Sequence, residues 1–178
     1  MSDKTAYLMI GPPGSGKSSW IAKNVEDPYT TEVISPDHLA YDKDGNYIQD
    51  NVSNAWFQSY QNFLSACEKG ISVVVFDATL VRIEPRAALA AIAHFFGYEV
   101  VAVFMDTPLD VCLARNQARK SKEPVPDQVI RRMHKNLVRP SKEYFDELIR
   151  VSIESDGSVV ESTTAWPNRT RVAAKLPF

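Results

Sequence analysis

Five short apolar runs punctuate the chain, at Ala6–Ile10, Glu32–Ile34, Ile71–Phe76, Glu99–Phe104 and Leu148–Ile153, and longer stretches with helical spacing separate them. Val73-Val74-Val75-Phe76 and Val100-Val101-Ala102-Val103-Phe104 are apolar at every position. A strand with one solvated face alternates, whereas an unbroken run belongs to a strand covered on both faces, as in a parallel sheet between helical layers. The intervening patterns predict helices over Lys17–Asn24, Asn54–Glu68, Glu84–Phe96, Pro108–Arg119, Pro126–Val138 and Ser141–Glu147. Thr107 before Pro108, with Asp110 three residues on, is an expected N-cap. Gly70 and Gly97 stand where two helices are expected to stop. The alternation implies an α/β fold with a five-stranded parallel sheet flanked by helices.

A length of 178 residues fits one domain. The expected division is a single unit over 1–155, including a lid at about 115–126, with residues 156–178 as a C-terminal tail packed on it. The hydrophobic fraction of 44% and charged fraction of 24% are those of a globular protein. A net charge of −2 excludes a global positive field, so any nucleic-acid contact is expected to be short. The polar start and the brief run Ala6–Ile10 match neither a signal peptide nor a membrane span, and a cytoplasmic protein without a membrane partner is expected. Cys67 and Cys112 lack CxxC spacing and read as buried small hydrophobes.

Gly11-Pro12-Pro13-Gly14-Ser15-Gly16-Lys17-Ser18 fulfils G-x-x-x-x-G-K-[ST] between an expected strand and an expected helix. Glycine lets the backbone approach phosphate closely, so that successive N–H groups point into one anion-sized concavity at a helix N-terminus. Lys17 adds a full charge for the β- and γ-phosphates of ATP, the Ser18 hydroxyl suits Mg²⁺, and Ser19 continues the binding turn.

Two aspartates end the expected second and third strands. Asp37, in Ser35-Pro36-Asp37-His38, is either a general base for an acceptor hydroxyl or a helix N-cap. Asp77, after four apolar residues, has the Walker-B position that holds Mg²⁺ or its water, or it touches the acceptor. Arg115 and Arg119 share one helix face just before the proline-rich connection Lys120–Pro126, an arrangement suited to a lid that delivers guanidinium groups to phosphate. Asp42–Asn46 reads as a turn, the stripe Trp56, Tyr60, Phe63, Leu64 and Cys67 as core, and Arg131, Arg132, Lys135 and Arg139 as a solvated basic face.

These features in order, with Phe76-Asp77-Ala78-Thr79-Leu80, Arg115-Asn116-Gln117-Ala118-Arg119, Pro124-Val125-Pro126 and Val129-Ile130-Arg131-Arg132-Met133, resemble the kinase half of bacteriophage polynucleotide 5′-hydroxyl kinase and related P-loop kinases over roughly Ala6–Val138. The resemblance implies a P-loop NTPase fold with a helical lid, Asp37 as general base, Asp77 in the acceptor site, and Arg115 and Arg119 on the nucleotide phosphates. The family's arginine three residues after the base aspartate, which grips the acceptor's own phosphate, is Ala40 here. The Asn of its Asp-x-Asn is Thr79, and Arg82 is noted as a substitute phosphate ligand or an ordinary surface arginine. The expected activity is ATP- and Mg²⁺-dependent phosphorylation of a 5′-OH end of DNA or RNA. A small metabolite or nucleotide-sugar acceptor, and an ATP-binding switch without catalysis, stand as alternatives.

Overall fold

A computed structural model of the chain describes residues 3–25, 27, 29–39, 52–119, 124–153 and 157–166. Ala40, the turn at Asp42–Asn46 and the middle of the lid connection lie outside the described residues. The apolar runs form β1 (Thr5–Ile10), β2 (Thr31–Ile34), β3 (Val73–Phe76), β4 (Glu99–Asp106) and β5 (Glu147–Ile153), all parallel. Helices α1 (Lys17–Asn24), α2 (Pro36–Leu39), α3 (Val52–Lys69), α4 (Ile83–Phe95), α5 (Leu109–Gln117) and α6 (Asp127–Lys135) connect them.

The sheet has six strands, in the order β2-β3-β1-β4-β5-β6, which corrects the expected five. The sixth, β6 (Val159–Ala165), runs antiparallel to β5 and comes from the segment expected as a tail. Its residues are exposed along its whole length, so no apolar run announces it. A second correction concerns Ser141–Glu147, which is not helical. Asp146 there extends the sheet: its amide donates to Val100 O at 2.9 Å, and its Oδ2 accepts from Val100 N and lies 2.8 Å from His94 Nε2. Phe145 is buried in the core, and long-range pairing overrides the local pattern.

Side-chain alternation explains the two layers. Ala6, Leu8 and Ile10 of β1, Val74 and Phe76 of β3, and Val100, Ala102 and Phe104 of β4 face one cluster with Phe63 and Cys67 of α3 and Leu89 and Ala93 of α4. Met9, Val75, Val103 and Met105 face the other, against Trp20 and Ile21 of α1. Burial pushes the Cys67 thiol up to about 12 and that of Cys112 to about 11, which keeps both unreactive. Gly70 and Gly97 end α3 and α4 with φ of +73° and +81°. The strand order reverses direction beside β1: the connection from β1 leads to β2 on one side, and that from β3 returns to β4 on the other. Such a point opens a crevice outside the carboxyl ends of the strands.

Candidate nucleotide-binding site

The loop after β1 enters α1 through Gly16, which sits in the N-cap position at φ +103° with no side chain to occupy the first amides. No acidic residue stands in the first turn of α1, so the positive end of the helix is left for an anion. Gly14, at φ +79°, lies so close to α5 that a Cβ would collide with the Cys112 carbonyl. Gly11 N donates to Thr79 O at 2.9 Å, tying the start of the loop to the segment after β3. Thr107 does not cap α5; its buried hydroxyl donates to Ser15 O at 2.9 Å, and α5 starts from Pro108 without a side-chain cap. Thr107 thus bonds the P-loop instead of forming the expected local N-cap.

Lys17 Nζ donates to Gly11 O (2.9 Å) and Pro12 O (3.1 Å), which holds the ammonium over the loop. Burial pushes its pKa below the ordinary lysine value; the charges of Asp77 and then Asp37 oppose that shift, and Arg119 reinforces it. Two carboxylates and a guanidinium therefore act electrostatically on one ammonium. Asp77 directly follows β3 and its amide donates to Ile34 O at 2.8 Å, while exposed Asp37 lies in the first turn of α2 just after β2. Because β2 and β3 are neighbours in register at Ile34 and Phe76, the two aspartates leave adjacent strands at the same end.

A cavity of about 700 Å³ opens over the loop, lined by Gly14–Trp20, Arg115 and Arg119. An Arg115 guanidinium nitrogen comes within 3.5 Å of the position a Cβ on Gly16 would take. Thr79 is half-buried beside the loop through its backbone. Arg82 is exposed and pairs with Glu84 at 3.0 Å, outside the residues that line the cavity.

The far wall of the cavity is made by Lys23 of α1, Met105 of β4, Val151 and Ile153 of β5, and Val159 and Glu161 of β6. None of these was legible as a site residue, since their meeting depends on the β5–β6 register of Ile153 with Val159 and Val151 with Glu161. Trp20 also lines the cavity, and its Nε1 and the Ser15 hydroxyl are buried with no hydrogen-bond partner among the described residues. Asn116, fully buried, bonds both backbone groups of Val125 (Nδ2 to O 2.8 Å, N to Oδ1 3.0 Å) and so ties α5 to the segment before α6. His134 of α6 lies 3.1 Å from Thr107 O, which links that helix to the P-loop support.

The donors near the loop are hard oxygens, the Ser18 hydroxyl and the Asp77 carboxylate, and no group of three metal-ligating side chains occurs among the described residues. That set fits Mg²⁺, which is held by one or two carboxylates together with substrate phosphates, and not by an all-protein cage. No helix among the described residues is long and apolar enough to cross a membrane.

The P-loop at the switch point of a parallel sheet defines a P-loop nucleotide-binding protein. The AAA_33 model, described as an AAA domain, matches residues 7–140, and the chain belongs to that family. Among solved structures it is similar to the AvrRxo1-ORF1:-ORF2 complex with ATP (TM-score 0.67, 16% identity, 92% of this chain). It spans 61% of the length of that relative. It is also similar to a gluconokinase from Sinorhizobium meliloti 1021 (TM-score 0.54, 17% identity, 85% of this chain and 84% of that one). A third likeness is to the Pnkp1/Rnl/Hen1 RNA repair complex (TM-score 0.64, 15% identity, 75% of this chain and 44% of that one). The folds agree across relatives that differ in their named substrates.

Proposed function

We propose that the chain is an ATP-dependent phosphotransferase whose acceptor is the 5′-hydroxyl end of DNA or RNA. The observation that carries this reading is that Asp77 and Asp37 leave adjacent strands at the P-loop end of the sheet and, with Arg119, act electrostatically on Lys17. The α1 amides and Lys17 bind the β- and γ-phosphates, and the nucleoside lies along the wall formed by Trp20, Ile153 and Val159. The Asp37 carboxylate accepts the acceptor hydroxyl's proton while the oxygen attacks γ-phosphorus in line; the bond to the β–γ bridging oxygen breaks and ADP leaves. Arg115 and Arg119 stabilise charge on the transferred group. Ser18 and Asp77 would hold Mg²⁺, which when bound neutralises charge on the β- and γ-oxygens. Thr79 and Arg82 remain the proposed acceptor contacts, with Arg82 requiring release from Glu84.

Transfer of label from γ-labelled ATP to a 5′-OH oligonucleotide tests the proposal, and no transfer at all to that acceptor would refute it. Ala40 in place of the family's acceptor-gripping arginine, together with the likeness to a gluconokinase, favours a second reading: the same chemistry on a small hydroxylated metabolite. An acceptor screen that labels sugars and leaves oligonucleotides unlabelled would select it.

A further inference from the structure

Arg86 of α4 is 1% exposed, the largest fully buried side chain among the described residues, and it has no carboxylate partner there. Its Nε donates to Leu80 O at 2.6 Å and its Nη2 to Val81 O at 3.1 Å. Burial pushes its pKa down to about 10, which still leaves it charged at neutral pH. A buried cation without an anion is costly, and an apolar side chain of similar volume often serves packing as well or better. The position therefore calls for a reason other than core filling.

The segment that Arg86 grips supplies one. Leu80 has φ +39°, the single positive-φ non-glycine among the described residues, and it is itself 1% exposed. A bulky side chain in that region stores strain that surrounding contacts must over-determine. Three consecutive carbonyls are held: Thr79 O by Gly11 N, Leu80 O by Arg86, and Val81 O by both Arg86 and Val138 N. The held segment begins two residues after Asp77, and its first carbonyl, Thr79 O, is bonded to the first residue of the P-loop.

We propose that Arg86 is a positioning residue for phosphoryl transfer: it clamps the strained Leu80–Val81 backbone so that Asp77 keeps its place beside Lys17 and the P-loop. The inference rests on the assignment of Asp77 to the Mg²⁺ and acceptor site made above. An arginine suits the task because its fixed fork reaches two adjacent carbonyls at once.

The test compares Arg86→Met and Arg86→Lys with Asp77→Asn and the double variant Asp77→Asn/Arg86→Met, in the full chain. Arg86→Met is expected to lower kcat roughly tenfold or more with KM for ATP changed less than about threefold, since small misplacements at a reacting centre act on turnover. Arg86→Lys recovers part of that loss. If Arg86 acts through Asp77, the double variant is no slower than Asp77→Asn, a non-additivity that a purely structural role would not produce. Arg86→Gln, which retains one donor, replaces the Met variant should that one fail to fold. Additive losses, or a lowered Tm with unchanged kcat, overturn the proposal. The Mg²⁺ concentration giving half-maximal ATP binding supplies a readout independent of any acceptor: it rises in Arg86→Met as in Asp77→Asn if the clamp is real, and stays at the wild-type value if not. Absence of transfer in the wild-type chain would count against the phosphotransferase reading alone.

Discussion

Lys17 carries the site's pH dependence. Its pKa is lowered mainly by burial, so the free protein loses the ammonium as pH rises through a value below the ordinary 10.5. Bound triphosphate favours the charged form and raises that value again. ATP affinity is therefore expected to fall on the alkaline side earlier than an ordinary lysine would dictate, and binding there should take up a proton. Calorimetry in buffers of different ionisation enthalpy measures the uptake, which Lys17→Met removes. The sign for stability is opposite: between the lowered folded value and 10.5 the unfolded chain holds more protons, so this group's contribution to stability rises with pH in that window. Gly14→Ala makes a separate point about space. Its Cβ would meet the Cys112 backbone carbonyl, which has no flexible end to move, at a φ that L-residues rarely adopt. We expect loss of ATP binding of at least about tenfold while Tm falls only modestly, checked by ligand titration beside thermal unfolding.

The junction of α5 with the segment before α6, and β6, show how whole elements complete the site. Asn116 stands between Arg115 and Arg119 in the sequence, and its amide satisfies both backbone groups of Val125. Asn116→Ala removes two hydrogen bonds to the half-buried Val125 backbone, at a cost of about 0.5–1.5 kcal/mol for each. Because α5 carries Arg115 to the cavity and Arg119 follows just beyond its end, the expected result is a raised KM for ATP together with faster protease cleavage between α5 and α6. Unchanged KM and cleavage rate would show that the Asn116 bonds do not restrain that connection. In the core, Phe63 meets Phe76 edge-to-face at 5.6 Å, and the expected aromatic stripe of α3 is indeed packing surface. His94 serves structure in the same way, joining α4 to Asp146 at the end of the sheet away from the P-loop.

For the molecule as a whole, the choice between polynucleotide and metabolite is a question about charge. A polynucleotide acceptor releases counterions when several of its phosphates are contacted, so its log affinity falls against log salt by about 0.7 for each contact on a single strand. A one-phosphate or neutral metabolite shows a slope near zero once the ATP site is saturated. Titrating oligonucleotide affinity between low and moderate salt in the presence of a non-hydrolysable ATP analogue measures this directly. With a net charge of −2, any steep slope must come from a local basic patch and not from the global field.

The P-loop, the β/α alternation and the aspartates at two strand ends were readable because each is written in neighbouring residues: glycines that permit a turn, apolar runs with a period, a carboxylate after a strand. The tertiary structure decided what depends on distant partners. It inserted β3 between β1 and β2, so that Asp77 and Asp37 leave adjacent strands at the same end, and it turned Thr107 from a local cap to a support for Ser15, ninety-two residues away. It also made the exposed, mixed segment Val159–Ala165 a strand, because an edge strand is stabilised by backbone pairing with β5 and needs no apolar face of its own. Arg86 belongs to the same group: an arginine in a helix looks like surface until the carbonyls it reaches are known. Local chemistry announces itself in order along the chain, whereas hydrogen bonds between remote backbone groups leave no trace in spacing or composition.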